Sequence, residues 1–149
     1  MKTAICYYSR HHGNTLAVLE AMTEGCDVDL IDVTARMAVR LDQYDRIGFA
    51  SGIYFSKFSP VVVNFARQYL PEGREVFFVY TYGAPKVSLP GNITAAVKEK
   101  GCRILGQFGC RGYDTFGPFK LIGGLAKGHP DAQDLKKAKQ FFEGLGCRE

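Results

Sequence analysis

The segment from Ser9 to Thr15 carries residue types that bind anions, and it follows a short apolar run. It reads Ser9-Arg10-His11-His12-Gly13-Asn14-Thr15. Residues 15–24 behind it have helical spacing. The start of a helix offers unpaired backbone N–H groups and a partial positive charge, and both favour a phosphate. The pattern therefore indicates a phosphate-binding loop, and a βα loop with ordinary helix-capping residues remains the alternative.

Better-known phosphate motifs do not match this loop. The chain has no G-x-x-x-x-G-K-[ST] sequence, which excludes a P-loop, and a dinucleotide fingerprint needs three glycines where this loop has one. Low-molecular-weight phosphatases and arsenate reductases place a cysteine and an arginine around the loop as C-x₅-R. Cys6 followed by five residues reaches His12, and Cys6 itself belongs to the apolar run. A cysteine nucleophile is therefore not expected.

Two more loops with glycine and aromatic residues follow apolar runs. They read Ser51-Gly52-Ile53-Tyr54-Phe55 and Thr81-Tyr82-Gly83-Ala84. Tyr54, Phe55 and Tyr82 offer rings on which a flat apolar ligand stacks. Each ring alone is more typical of a core position than of a ligand contact, so a ligand site is indicated only if the three loops lie at the same end of the sheet.

Alternating elements place these loops at one end of a sheet. Apolar runs predict strands over residues 3–8, 27–33, 46–52, 75–80 and 103–109. Helices are predicted over 15–24, from the Ser59-Pro60 start to before Pro71, over 91–100, and from Asp131 onward. This alternation predicts parallel βαβ units and a doubly wound α/β fold. Ligands of such folds bind beyond the carboxyl ends of the strands, where the three loops meet.

Length and composition predict one soluble domain over residues 1–149. Apolar residues make up 46% and charged residues 23% of the chain, which is ordinary for a globular protein. No apolar run reaches the ~18–20 residues of a membrane helix, and the N-terminus lacks a signal-peptide pattern. We expect no membrane span and a cytoplasmic location. The five cysteines have no C-x-x-C spacing, so reduced thiols and no metal site are expected.

The positive charge is concentrated in the second half of the chain. Of the net +4, residues 1–75 contribute −1 (8 Lys/Arg, 9 Asp/Glu) and residues 76–149 contribute +5 (11 and 6). Such a half could attract an anionic ligand or an acidic partner, or consist of solvated helix faces. Because its lysines are not interleaved with aromatic residues, nucleic acid is not an expected partner.

At these three loops the chain resembles the flavodoxin family. The phosphate loop of that family is S/T-x-T-G-x-T after the first strand. The residues kept here are Ser9, Gly13, Asn14 and Thr15. The loop is one residue longer, with His11-His12 in place of the usual threonine, and its seven residues are similar to the loop of flavodoxin-like protoporphyrinogen oxidases. The resemblance covers essentially the whole chain. It implies five parallel strands in the order 2-1-3-4-5 within three αβα layers.

The same resemblance implies flavin mononucleotide (FMN) as the cofactor. The first loop would hold the phosphate, and the other two would flank the isoalloxazine ring. The cofactor-binding residues so implied are Ser9, Arg10, His11, His12, Gly13, Asn14, Thr15, Ser51, Gly52, Ile53, Tyr54, Phe55, Thr81, Tyr82, Gly83 and Ala84. No residue is assigned a catalytic role.

A long connection follows the fifth predicted strand. The 110–130 segment is rich in glycine and aromatic residues. Its aromatic residues argue against disorder. Connections of this length in compact domains are usually functional. It is interpreted as an ordered flap near the ligand or a partner-binding surface. The alternative is a structural cover that buries Tyr113, Phe116 and Phe119.

The leading interpretation is an FMN-binding electron-transfer protein that serves a redox partner protein or a small-molecule acceptor. The alternative is an FMN-dependent oxidoreductase acting on a quinone or porphyrin, with the 110–130 segment forming the substrate pocket. A cofactor-free module resembling response-regulator receivers is disfavoured, because Ser51 and Gly52 stand where a receiver has its phosphoacceptor aspartate.

Overall fold

The computed structural model describes residues 1–10, 13–35, 40–84, 87–113, 124 and 126–146. The predictions for His11 and His12, and most of the 110–130 segment, lie outside these ranges. The elements in chain order are β1 (Thr3–Tyr8), α1 (Asn14–Met22), β2 (Val28–Asp32), β3 (Arg46–Tyr54), β4 (Lys57–Phe58), α2 (Pro60–Tyr69), β5 (Glu75–Tyr82), α3 (Gly91–Glu99), β6 (Arg103–Arg111) and α4 (Ala132–Gly144). A 3-10 turn at Leu41–Gln43 precedes β3.

Five strands form the predicted parallel sheet. Their order is β2-β1-β3-β5-β6, which is 2-1-3-4-5 when the parallel strands alone are counted. The prediction of a doubly wound flavodoxin-like fold is confirmed. Strand β1 lies between β2 and β3, so the chain reverses its direction of winding at the carboxyl ends of β1 and β3.

One strand was not predicted. The two residues of β4 pair antiparallel with the end of β3, through Ile53 with Phe58 and Tyr54 with Lys57. The turn between them is Phe55-Ser56, and both residues have positive φ (49° and 62°). Turns of this kind normally contain Asn or Gly, so the sequence carries no signal for this hairpin.

Alternation along the strands divides the core between two helix layers. On one face the buried residues of β1, β3 and β5 pack with α2 and α3, as Cys6, Phe49 and Phe78 show. On the other face Ile5 and Phe77 pack with α1 and α4. This division confirms the three αβα layers, because period-2 alternation sends neighbouring residues to opposite faces of a sheet.

The helix starts agree with the capping signals. The Ser59 hydroxyl accepts the N–H of Val61 at 3.3 Å, with Pro60 in the first turn of α2. At α4, Asp131 and Asp134 each accept the backbone N–H of the other at 2.9 Å, which forms a capping box. None of the helices in the described ranges is long and apolar enough to cross a membrane.

The expectation of five reduced thiols is wrong. Cys26 is in a disulfide, whereas Cys6, Cys102 and Cys110 are free. Spacing in the chain does not predict such a bond, because disulfide pairing depends on which residues the fold brings together.

Candidate functional site

A cleft lies at the carboxyl ends of β3, β5 and β6. Its lining residues are Arg10, Asn14, Gly52, Ile53, Tyr54, Thr81, Tyr82, Gly83, Gly112 and Tyr113. Eight of these ten belong to the predicted site, so all three predicted loops meet at one place.

The loop after β1 is held in shape at the start of α1. Gly13 has a left-handed φ of 65°, and a Cβ atom there would meet no atom within 4 Å. The Ser9 hydroxyl accepts the backbone N–H of Leu16 at 3.2 Å, which satisfies one of the free donors of the first turn. The donors ahead of it in the first turn belong to Asn14 and Thr15.

The side chain of Thr15 points into the protein. Its hydroxyl lies 2.9 Å from that of Thr81, and both residues are almost fully buried. This pair connects the first turn of α1 to the carboxyl end of β5. The Thr15 hydroxyl is therefore engaged inside the protein, and Thr15 is not among the residues that line the cleft.

Aromatic rings form one corner of the cleft. The rings of Tyr8 and Tyr54 meet edge to face with centroids 6.5 Å apart, and the guanidinium of Arg10 lies 5.4 Å from the Tyr8 centroid. A Cβ atom at Gly52 would lie 2.9 Å from the Tyr54 hydroxyl. Glycine at position 52 therefore lets the Tyr54 side chain fold back toward the strand.

Three predicted residues of the second and third loops do not line the cleft. Ser51 is fully buried, accepts the N–H of Ser59 at 3.0 Å and donates to the Gly52 carbonyl at 2.6 Å, so it joins β3 to the start of α2. Phe55 is 79% exposed at the tip of the β3–β4 hairpin. Ala84 follows Gly83 outside the lining residues.

Gly112 and Tyr113 also line the cleft, although they are not among the predicted cofactor-binding residues. The backbone N–H of Gly112 donates to the Tyr82 carbonyl at 2.8 Å, which continues the β5–β6 pairing beyond the strand ends. The carbonyl of Tyr113 accepts the side-chain amide of Asn14 at 2.7 Å. Their position could have identified them as lining residues, since they follow the fifth parallel strand at the same edge of the sheet.

Arg111 lies just beside the cleft, at the end of β6. Its guanidinium donates from Nη2 to the Gly83 carbonyl at 2.7 Å. Burial raises the pKa of Tyr82, while the charge of Arg111 acts in the opposite direction. Burial also raises the pKa of the Cys110 thiol to about 12, so this thiol is neutral at physiological pH.

A histidine and two carboxylates lie together at the start of α4, outside the lining residues of the cleft. The His129 Nδ1 lies 2.6 Å from a carboxylate oxygen of Asp134 and 3.7 Å from one of Asp131. Three potential metal-ligand atoms of these residues fall within 4.8 Å of one another. Because the carboxylates also accept backbone N–H groups at the start of α4, capping accounts for their arrangement. The absence of a metal site stays a prediction.

Comparison with known proteins agrees with the fold. A family profile described as a flavodoxin domain matches residues 4–102. An uncharacterised protein of Methanocaldococcus jannaschii is 37% identical over 147 residues, which cover 97% of this chain and 98% of that protein.

Solved structures share the same fold at low sequence identity. A flavodoxin from the domain Archaea superposes with a TM-score of 0.63 at 20% identity, covering 97% of this chain and 96% of the other. The Fusobacterium nucleatum flavodoxin bound to flavin mononucleotide has a TM-score of 0.66 at 10% identity, with 97% of each chain covered. On the family match and this shared fold, the chain belongs to the flavodoxin domain family.

Proposed function

We propose that the protein binds FMN in the cleft and transfers electrons. The observation that carries this proposal is the convergence of a helix-start loop and three tyrosines in one cleft at the winding reversal of the sheet. The tyrosines are Tyr54, Tyr82 and Tyr113. An anionic tail and a flat aromatic ring are the two parts of FMN that such a cleft would accept.

The donor set at α1 fits a phosphate. Gly13 leaves open space where a side chain would stand, and the N–H groups of Asn14 and Thr15 belong to the unpaired first turn. Arg10 adds a positive charge on the lining. Because Ser9 already holds the Leu16 N–H, the loop needs little rearrangement to receive an anion.

The second and third loops fit a ring. Tyr54 and Tyr82 supply aromatic faces from β3 and β5, and Gly52 and Gly83 allow backbone to come close to a ligand. The role of these residues is to bind and orient, whereas bound FMN supplies the electron chemistry.

The charge of the chain bears on its partner. The flavodoxins that the sequence resembles are typically acidic, and their negative surface disfavours the anionic reduced flavin. This chain carries +4, with +5 in residues 76–149. We expect that its redox partner does not present a basic face. We also expect its fully reduced flavin to be less destabilised than in the acidic flavodoxins. A reduction potential as low as that of acidic flavodoxins would contradict this expectation.

An FMN-dependent oxidoreductase is the second candidate. Gly112 and Tyr113 line the cleft, so the 110–130 segment begins at the ligand site and not on a remote surface. A substrate such as a quinone or porphyrin would then meet the flavin there. Steady-state turnover with a diffusible quinone or porphyrin distinguishes the two functions, because a pure carrier shows none beyond the rate of free FMN.

The test of FMN binding is the visible spectrum of the purified protein before and after addition of FMN. Binding predicts a flavin spectrum that stays with the protein through gel filtration. A colourless protein that takes up no added FMN would contradict both functions. The cytoplasmic location expected from the sequence stays a prediction, and fractionation of the source cells tests it.

A further inference from the structure

Arg111 holds the backbone of the loop that follows β5. It pairs with Tyr82 in the β5–β6 register and reaches over to the Gly83 carbonyl at 2.7 Å. In a trans peptide the carbonyl and the next N–H point in opposite directions. The arginine therefore fixes the Gly83–Ala84 peptide, with the Ala84 N–H directed away from the guanidinium. Because Gly83 lines the cleft, Arg111 orients a wall of the ligand site without lining it.

The same side chain brings a positive charge to the cleft. Its Nε is buried, and within the described part of the chain it has no hydrogen-bond partner. Burial raises the pKa of Tyr82, which lines the cleft, and the charge of Arg111 acts against this rise. Burial also raises the pKa of the Cys110 thiol to about 12, so this neighbour is uncharged at physiological pH. Arg111 therefore places a positive charge beside this wall of the cleft.

We propose that Arg111 is a positioning residue which holds the Thr81–Ala84 loop against the ligand and makes the cleft favour the anionic, fully reduced flavin. The inference rests on the proposed function. Reduction adds two electrons and one proton to the neutral ring, which leaves the hydroquinone with one negative charge. Because the phosphate is present in both redox states, the ratio of the two affinities reports the ring alone.

The experiment measures dissociation constants for oxidised FMN and for FMN reduced by excess dithionite. The variants are Arg111→Gln, which removes the charge, and Arg111→Lys, which keeps it on a different head group. Arg103→Gln is the matched control. Arg103 is at the other end of β6, with a side chain 79% exposed and 3.5 Å from Glu75. Arg103 and Arg111 are eight positions apart along β6, and at ~3.3 Å per residue this places them roughly 26 Å from each other.

We expect Arg111→Gln to lower the affinity for reduced FMN at least about tenfold more than that for oxidised FMN. A tenfold change in this ratio corresponds to about 30 mV in the two-electron potential. Arg111→Lys should keep the ratio within about threefold of the wild type, and Arg103→Gln should leave it unchanged. Because both affinities are measured on the same variant, a partly unfolded sample changes them together and leaves the ratio intact.

Equal losses for both redox states in Arg111→Gln, or no loss, would overturn this role while leaving FMN binding in place. A wild-type protein that binds neither form of FMN would overturn the proposed function and this inference together.

Discussion

The side-chain amide of Asn14 donates a 2.7 Å hydrogen bond to the backbone carbonyl of Tyr113. It joins the first residue of α1 to the chain beyond β6, across 99 residues of sequence. The Tyr113 N–H in turn donates to the His129 carbonyl at 2.8 Å. The loop that would hold a phosphate is thus connected to both ends of the 110–130 segment.

Gly112→Ala should break this connection. An added Cβ would lie 2.6 Å from the Asn14 amide nitrogen, so the amide must move away from Tyr113. Loss of one such hydrogen bond costs about 1 kcal/mol in the free energy of unfolding, and the loosened connection predicts faster amide exchange at Tyr113 and weaker FMN binding. Hydrogen exchange read by NMR measures the change at Tyr113, and an FMN titration measures the affinity. Gly144→Ala is the control, because its Cβ would meet nothing within 4 Å; equal behaviour of the two variants would contradict the prediction.

The buried hydroxyl pair of Thr15 and Thr81 should show strong energetic coupling. Thr15→Val leaves the Thr81 hydroxyl buried without its partner, at a cost of about 1–3 kcal/mol in the free energy of unfolding. Thr81→Val should cost a similar amount. The double variant removes both polar groups and should cost less than the sum of the single changes. Urea denaturation of the four proteins completes the cycle, and additive costs would show that the hydroxyls do not depend on each other.

Gly13→Asp should weaken FMN binding through charge. At φ 65° aspartate and asparagine are among the better tolerated side chains, and the space around this position is open. Gly13→Asn is therefore a neutral control of nearly the same shape. We expect the aspartate variant to bind FMN at least about tenfold more weakly than the asparagine variant, a like-charge effect of about 1.4 kcal/mol. Riboflavin, which lacks the phosphate, should bind the two variants equally; a matching loss for riboflavin would place the phosphate elsewhere.

Alkaline pH should destabilise the protein through its buried thiols. Burial raises the pKa of Cys6 and of Cys110 from about 9 to about 12. Between these values the unfolded chain loses the protons and the folded chain keeps them. Stability is therefore fully present below pH 9 and is lost as the pH rises toward 12, by up to about 1.4 kcal/mol per pH unit for each thiol.

Urea denaturation at pH 8 and pH 10.5 measures this decline. Cys6→Ala removes one of the two thiols, so its free energy of unfolding should fall less steeply between the same pH values. A variant with the same decline as the wild type would show that the Cys6 thiol does not contribute.

Local patterns were enough to predict the parallel strands and most of the residues that line the cleft. Ser59-Pro60 specifies the start of α2 by its own chemistry, whereas the order of the strands came from the resemblance to the flavodoxin family. Arg10 and Asn14 of the first loop and Gly52–Tyr54 of the second line the cleft because parallel strands bring their carboxyl ends together.

What the sequence did not reveal depends on contacts between distant residues. The Thr15 side chain turns inward because its hydroxyl forms a hydrogen bond with that of Thr81. The position of Thr15 in the loop motif does not reveal this contact. Gly112 and Tyr113 join the cleft through Tyr82 and Asn14, which are far from them in sequence. The β4 strand depends on two residues with positive φ that are neither asparagine nor glycine.

The position of the ligand is the central claim, and amide chemical shifts of ¹⁵N-labelled protein during FMN titration test it most directly. If FMN binds in the cleft, the largest changes in amide chemical shift should occur at Asn14, Gly52 and Gly83. The amide of Arg103, at the opposite end of the sheet, should show none. A titration in which FMN leaves those three amides unmoved, or moves residues away from the cleft instead, would contradict it.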